Sequence, residues 1–408
     1  MKDRLHSLLM AAIDAANPTR VLPAYLRAIP DPRPNGRLIV VGAGKASAAM
    51  ADAVRAHFGP SEGLVITRYG HQGSGVQDMP EVVQASHPLP DAAGVAATAR
   101  MMGLLAGLSP NDIVLALISG GASALLTQPR AGVTLADKAR LSADLLRKGA
   151  PIGDINLIRK QFSDVKAGRL AAVAAPARVI GLIISDVAGD DLADIGSGPT
   201  VADTRDPSAA AQLWGIDLPP ARAPVPALAH LENHLVAAPM ASLRAASGLA
   251  QSWGWRAQIL GDDLGGEARD LAREHATLAL DSAAQMRPTD PARLILSGGE
   301  VTVTLGAANG GLGGPNAEYA LALATYLNGH SQIHALAADT DGIDGAGDAA
   351  GAYIAPYTLK NRNAEAAQDL AAHNAHGFFA VQGGAVITGP TQTNVNDFRA
   401  ILILPPAA

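Results

Sequence analysis

The residues best placed for chemistry follow short apolar runs, and they are small, hydroxylic or charged. The first group is Gly42-Ala43-Gly44-Lys45-Ala46-Ser47, directly after Leu38-Ile39-Val40-Val41. Small side chains let backbone N–H groups approach an anion at a helix N-terminus, and Lys45 adds a positive charge there. The group matches neither of two familiar phosphate loops. A Walker A loop would need glycine at Ile39 and Ser or Thr at Ala46, and a full dinucleotide fingerprint would need Gly or Ala at Ser47. A tight turn with a solvated lysine is the plainer alternative. Next, Ser119-Gly120-Gly121-Ala122-Ser123 closes the run Ile113-Val114-Leu115-Ala116-Leu117-Ile118. Its amides and hydroxyls suit an anion nest, or else Ser119 or Ser123 caps a helix. Leu117 occupies a glycine position of the G-x-S-x-G elbow, which excludes a serine hydrolase of that form.

The densest polar segment is Ser185-Asp186-Val187-Ala188-Gly189-Asp190-Asp191, with Gly196-Ser197-Gly198-Pro199-Thr200 after it. Asp186, Asp190 and Asp191 could bind Mg²⁺, accept a substrate proton or cap the next helix. The second half repeats the pattern with Ser297-Gly298-Gly299-Glu300 and with Gly310 to Glu318, which opens a helix around Asn316. Asp339-Thr340-Asp341-Gly342-Ile343-Asp344-Gly345 lacks the EF-hand spacing, and Thr388-Gly389-Pro390-Thr391-Gln392-Thr393-Asn394 is a polar turn. Arg159-Lys160-Gln161 and Lys166-Ala167-Gly168-Arg169 could hold a carboxylate or phosphate, or form a solvated helix face. His87-Pro88 reads as a structural loop.

These segments need strands and helices to position them. Apolar runs at residues 38–41, 63–66, 113–118 and 179–184 alternate with helical patterns such as Leu135 to Lys148, which predicts an open parallel sheet covered on both faces. Ligands on such sheets sit at the carboxyl ends of the strands, where the Gly/Ser/Asp segments fall. Residues 202–232, rich in proline, read as an exposed connector. Strand-like runs then recur at 294–296, 301–304, 334–338, 385–387 and 401–404. The expected fold is α/β with two domains: a doubly wound Rossmann-like parallel sheet over 1–235 and a smaller α/β domain with a mixed sheet over 236–408. A cleft between them is the expected place for a ligand. Leu5, Leu8, Leu9, Ala12 and Ile13 mark an amphipathic helix at the N-terminus, ending near Asn17-Pro18.

Composition narrows the classes. The 408 residues are 48% hydrophobic and 17% charged, which suits a well-buried chain and excludes disorder. Aromatics at 3% leave the core to Ala, Val, Leu and Ile, and zero cysteines exclude disulfides, thiolate metal sites and cysteine nucleophiles. A net charge of −6 argues against nucleic acid as the main partner. No apolar run approaches the ~18 residues of a membrane span, and no targeting signal is present, so the expected location is the cytoplasm.

Taken in order, Gly42–Ser47, Ser119–Ser123, Ser185–Thr200, Ser297–Glu300, Asp341–Gly345 and Thr388–Thr391 resemble the motifs of class II glycerate 2-kinases, two-domain enzymes whose C-terminal part is called the MOFRL domain. The resemblance spans nearly the whole chain. It implies transfer of the ATP γ-phosphoryl group to the 2-hydroxyl of D-glycerate, with ATP and Mg²⁺. Some relatives carry the name hydroxypyruvate reductase, so an NAD(P)H-dependent reductase is one rival and a non-catalytic sugar-acid-binding protein another. On this resemblance Lys45 faces the transferring group. Asp186 or Asp190 orients the glycerate hydroxyl or holds Mg²⁺ through water, with Asp190 and Asp191 the metal candidates. Gly44, Ser119, Gly120, Gly121, Ser123, Lys160 and Ser197 contact an anionic ligand, while Gly298, Glu300, Asn316, Glu318, Asp341, Thr388 and Asn394 approach from the other domain. The partners implied are a sugar acid and a nucleotide, with a homodimer as a further option. Three positions depart from the family pattern: Pro315 replaces an arginine implicated in catalysis, Gln161 a histidine, and Ala238 or Pro239 an asparagine.

Overall fold

The computed structural model describes residues 1–32, 35–73, 80–226, 228–305 and 311–407, so Gly310 lies outside the described residues. The chain divides into two units: residues 18–237, and residues 1–17 together with 238–408.

The first unit is built on β1 (Leu38–Ala43), β2 (Glu62–Arg68), β3 (Glu81–Ala85), β4 (Ile113–Ile118), β5 (Arg178–Ile184) and β6 (Leu231–Ala237). All six are parallel, in the order β3-β2-β1-β4-β5-β6. Every residue of β1 and β4 is buried, as covered faces on both sides demand. One face packs Ile39, Val41, Val114 and Ala116 against Ala97, Met101 and Leu105 of the helix Ala92–Leu105. The chain leaves β1 toward β2 on one side and returns as β4 on the other. This reversal opens a crevice at the carboxyl ends, the usual ligand position of doubly wound sheets.

The second unit contains β7 (Arg256–Ile259), β8 (Gly266–Glu267), β9 (Arg293–Ser297), β10 (Val301–Thr302), β11 (Ile333–Asp339), β12 (Gly351–Ile354), β13 (Ala385–Val386) and β14 (Asp397–Ile403). Its main sheet runs β13-β12-β11-β14-β9-β7 and is mixed: β14 is antiparallel to β11 and β9, while β7 is parallel to β9. Ile295, Ile333, Ala335 and Ile401 face the helices Ala268–Ala284 and Pro315–Leu327. On the opposite face, Leu294, Leu296, Leu336 and Leu402 pack under Leu5, Leu8, Leu9, Ala12 and Ile13 of the helix Lys2–Ala15. That apolar stripe needs a surface to cover, and the mixed sheet supplies it.

Residues 1–17 therefore sit in the second unit, whereas a division at residue 235 assigns them to the first. That division also cuts β6, which pairs with β5 as far as Ala237. The proline-rich stretch is not all connector. The helix Ser208–Trp214 lies within it, and its Ala210 and Ala211 pack with Leu145, Ile155 and Ile158. Among the described residues no helix is long and apolar enough to cross a membrane.

Candidate active site

In the first unit the loops after β1 and β4 are in contact, and glycine makes the contact possible. Gly44 has φ 135°, and a Cβ there would lie 2.1 Å from Ser119 Oγ. Lys45 N donates to Gly120 O (2.8 Å), Ser119 N to Ala43 O (3.1 Å) and Ala46 N to Ser119 Oγ (3.0 Å). Ser119, fully buried, thus tends the first turn of the helix Ser47–Phe58. The Ser47 hydroxyl reaches Gly44 O (2.8 Å) and Ile66 O (2.9 Å), and so occupies the helix–strand contact that a dinucleotide fingerprint keeps for a smaller residue.

Gly121 is flanked by two side chains. It has φ 82°, and a Cβ there would stand 3.1 Å from His87 Cδ2 and 3.5 Å from Lys45 Cγ. The Lys45 stem and the His87 ring thus flank one glycine at the crevice. The His87 position escapes the sequence reading because it depends on β3, a half-exposed edge strand with little hydrophobic signature.

The segment after β5 is tied to the same loop. The Ser123 and Ser197 hydroxyls are hydrogen-bonded (2.5 Å), and Lys166 Nζ donates to Ala122 O (3.0 Å) and Gly196 O (2.8 Å). Burial, with the nearby Lys138, Arg159 and Lys160 charges, drives the Lys166 ammonium well below the usual lysine range. Asp190 has φ 55°, and its Oδ1 is buried with no hydrogen-bond partner. Asp191 accepts from Ala193 N (2.9 Å) and lies 3.8 Å from Arg205, and Asp186 is partly buried. Among the described residues no three His, Asp or Glu side chains gather as a metal site. Asp190 and Asp191 therefore do not form a protein-only cage for Mg²⁺.

Lys160 calls for a correction. It is fully buried, with Nζ 3.0 Å from Asp194 and 2.6 Å from Asp203, and Arg205 closes the cluster. Burial would raise the Asp203 carboxyl, but hydrogen bonds from Arg205 and Lys160 outweigh it and hold it far below the usual range. An ammonium so enclosed is not available to a substrate. Its neighbour Arg159 takes a different direction and lines a cavity with Lys166.

The second unit's polar segments close on themselves. Asn316 N and Ala317 N donate to the two Asp344 carboxylate oxygens (2.9 and 2.8 Å), so Asp344 caps the helix Pro315–Leu327. Asn316 Nδ2 donates to Asp397 (2.6 Å), Arg399 pairs with Asp397, and Arg399 donates to Gly298 O (2.9 Å). Glu318 is buried against Arg269 (2.7 Å) and His373 (3.1 Å). Asp341 is buried, its Oδ1 accepting from Ile343 N (2.9 Å), and Thr388 Oγ1 meets Gly389 O (2.9 Å). Asn394 is buried and Glu300 exposed. Pro315 stands at the start of the helix, where its missing N–H costs nothing.

An α/β sheet with this strand order, carrying glycine-rich cationic loops at its reversal point, defines a small-molecule anion-handling class. Comparison with known proteins gives the family. The profile described as the MOFRL family matches residues 293–397, and a domain of unknown function, DUF4147, matches residues 4–226. A protein of Agrobacterium vitis bearing the provisional name hydroxypyruvate reductase is 45% identical, over 98% of this chain and 94% of its own length. The D-glycerate 2-kinase of Thermotoga maritima is 35% identical over 97% of each. The crystal structure of a Thermotoga maritima glycerate kinase superposes with a TM-score of 0.85 at 34% identity, over 99% of both chains. The chain belongs to the family of these glycerate kinases and carries a MOFRL domain.

Proposed function

We propose that this protein is an ATP-dependent glycerate 2-kinase, transferring the γ-phosphoryl group to the 2-hydroxyl of D-glycerate to give 2-phosphoglycerate and ADP. The observation that carries this reading is the placement of Lys45 beside Gly121 at the crevice, on loops locked together through Gly44 and Ser119. Phosphoryl transfer asks a protein mainly to position groups and neutralise charge, and a fixed ammonium beside small residues does both. In this proposal Lys45 meets the transferring phosphoryl group, and Asp186 or Asp190 orients the attacking hydroxyl. Magnesium enters as a companion of the nucleotide phosphates, whose charge it would neutralise. The relatives named glycerate kinase support the reading.

The reductase alternative draws on the name of the Agrobacterium relative. Two features oppose it: Ser47 sits in the fingerprint contact, and Thr67-Arg68 closes β2 where NAD enzymes place an acidic residue for the ribose. ADP release with D-glycerate marks the kinase, NADH loss with hydroxypyruvate marks the reductase, and ligand-induced thermal stabilisation without turnover marks a binding protein. The proposal includes a cytoplasmic location and a homodimer, the latter tested by light scattering.

A further inference from the structure

A cavity of about 260 Å³ in the first unit is lined by Lys138, Arg159, Lys166, Ser123 and Ser197, with Pro88, Leu89 and Pro90 along one side. Lys138, Ser142 and Leu146 reach it from one stripe of the helix Leu135–Arg147, and Arg159 from the helix Ile152–Gln161. None of the three basic side chains has an ion-pair partner among the described residues. Arg159 spends one N–H on Asn156 (2.6 Å), Lys166 donates to two backbone carbonyls, and the nearby Asp164 is already paired with Arg222. Enclosed basic groups without a counter-charge are costly to keep charged, and a bound anion would supply that counter-charge. The Ser123 and Ser197 hydroxyls add donors on the adjoining wall.

We propose that this cavity is a second oxyanion site, separate from the Lys45 loop, which takes a phosphate or carboxylate group of the bound substrate, nucleotide or product. Ser123 belongs to the loop carrying Gly121, and Pro88 follows His87, so the site adjoins the crevice. The inference rests on the kinase reading for the identity of its ligand but not for its chemistry. Lys138 faces Arg159, Lys166 and Asp164. Burial, with the Arg159 charge, lowers its ammonium to about 8, and Asp164 opposes that only weakly. Lys138 therefore loses charge as pH rises through that value, and anion affinity should fall with it.

The test is isothermal titration of the full chain carrying Lys45→Ala, so that the loop after β1 contributes little. Inorganic phosphate and D-glycerate are titrated separately near neutral pH, and sulfate, whose charge is constant, across the range around the Lys138 transition. Saturable binding is expected, weakened about tenfold or more by Lys138→Gln or Arg159→Gln and largely retained in Lys138→Arg. Sulfate affinity should decline on the alkaline side. Response to phosphate alone assigns the site to a phosphoryl group, and response to D-glycerate assigns it to the acid's carboxylate. Absence of binding by both, or affinity unchanged in both Gln variants while circular dichroism shows them folded, overturns the proposal. Such a failure, when the unmodified protein still releases ADP with D-glycerate, leaves the kinase reading standing. Cavity binding, when the unmodified protein gives no ADP with D-glycerate, does the reverse.

Discussion

The strand ends of the two units look alike in sequence and behave differently in structure. Both carry Ser-Gly-Gly, at Ser119 and at Ser297. In the second unit the charges are consumed internally: Arg399 holds Asp397 and Gly298, Asp344 caps a helix, and Glu318 is matched by Arg269 and His373. In the first unit the Lys45 stem stands beside Gly121, and Lys138, Arg159 and Lys166 line a cavity without an ion-pair partner among the described residues. A glycine-rich polar turn thus announces close backbone approach, and the balance of charge around it separates a ligand site from a cross-brace.

That contrast can be broken or sharpened by substitution. The largest effect is expected at Lys45: Lys45→Ala should lower kcat/KM for D-glycerate phosphorylation about 10³-fold or more, with an unchanged melting temperature. Near-normal turnover would remove Lys45 from the chemistry. Arg399→Ala does the opposite kind of damage. It leaves Asp397 and Gly298 O without their cation and should cost about 3–5 kcal/mol of stability by urea unfolding, since it strands half of a buried pair. A loss under about 1 kcal/mol would contradict the reading of this network as structural.

His275 gives a smaller, pH-dependent effect. Burial, with the Arg399 charge adding, lowers it to about 4, and its Nδ1 meets the Tyr319 hydroxyl at 2.7 Å. Between that value and about 6.5 the unfolded chain binds the proton and the folded chain does not. This contribution is therefore full above about 6.5 and lost as pH falls toward 4, amounting to about 3 kcal/mol. His376 acts in a different window: burial lowers its affinity for a proton, but hydrogen bonds to Asp344 win and raise it, so its contribution fades as pH rises above about 6.5. His275→Gln should flatten the acid limb of the stability curve, and an unchanged limb would exclude His275 as its source. The smallest effect is expected for Pro315→Arg, which should alter stability by less than about 1 kcal/mol because the first helical position tolerates either residue. Its kcat then reports whether an arginine there adds to turnover.

Much of this was legible in the sequence where burial is complete. β1, β4 and β5 read as continuous apolar runs because both of their faces are covered. The edge strands β3 and β7 leave a weaker trace, Glu81-Val82-Val83-Gln84-Ala85 and Arg256-Ala257-Gln258-Ile259, since one side meets solvent. The N-terminal helix was visible as an amphipath, but its partner was not, because periodicity gives a face and not the surface it covers. The site divides in the same way. Lys45, Ser119 and Gly121 stand out by residue type, whereas His87 depends on the placement of β3. Lys160 and Arg159 are adjacent in sequence, yet successive helical positions point about 100° apart, which sends one into an ion cluster and the other to a cavity.

The central claim is that the cationic loops of the first unit serve phosphoryl transfer. Phosphorus-31 NMR of the unmodified protein with ATP and D-glycerate tests it directly. A kinase gives a growing phosphomonoester resonance of 2-phosphoglycerate, matched by conversion of ATP to ADP. An unchanged ATP spectrum from a preparation that oxidises NADH with hydroxypyruvate would contradict it.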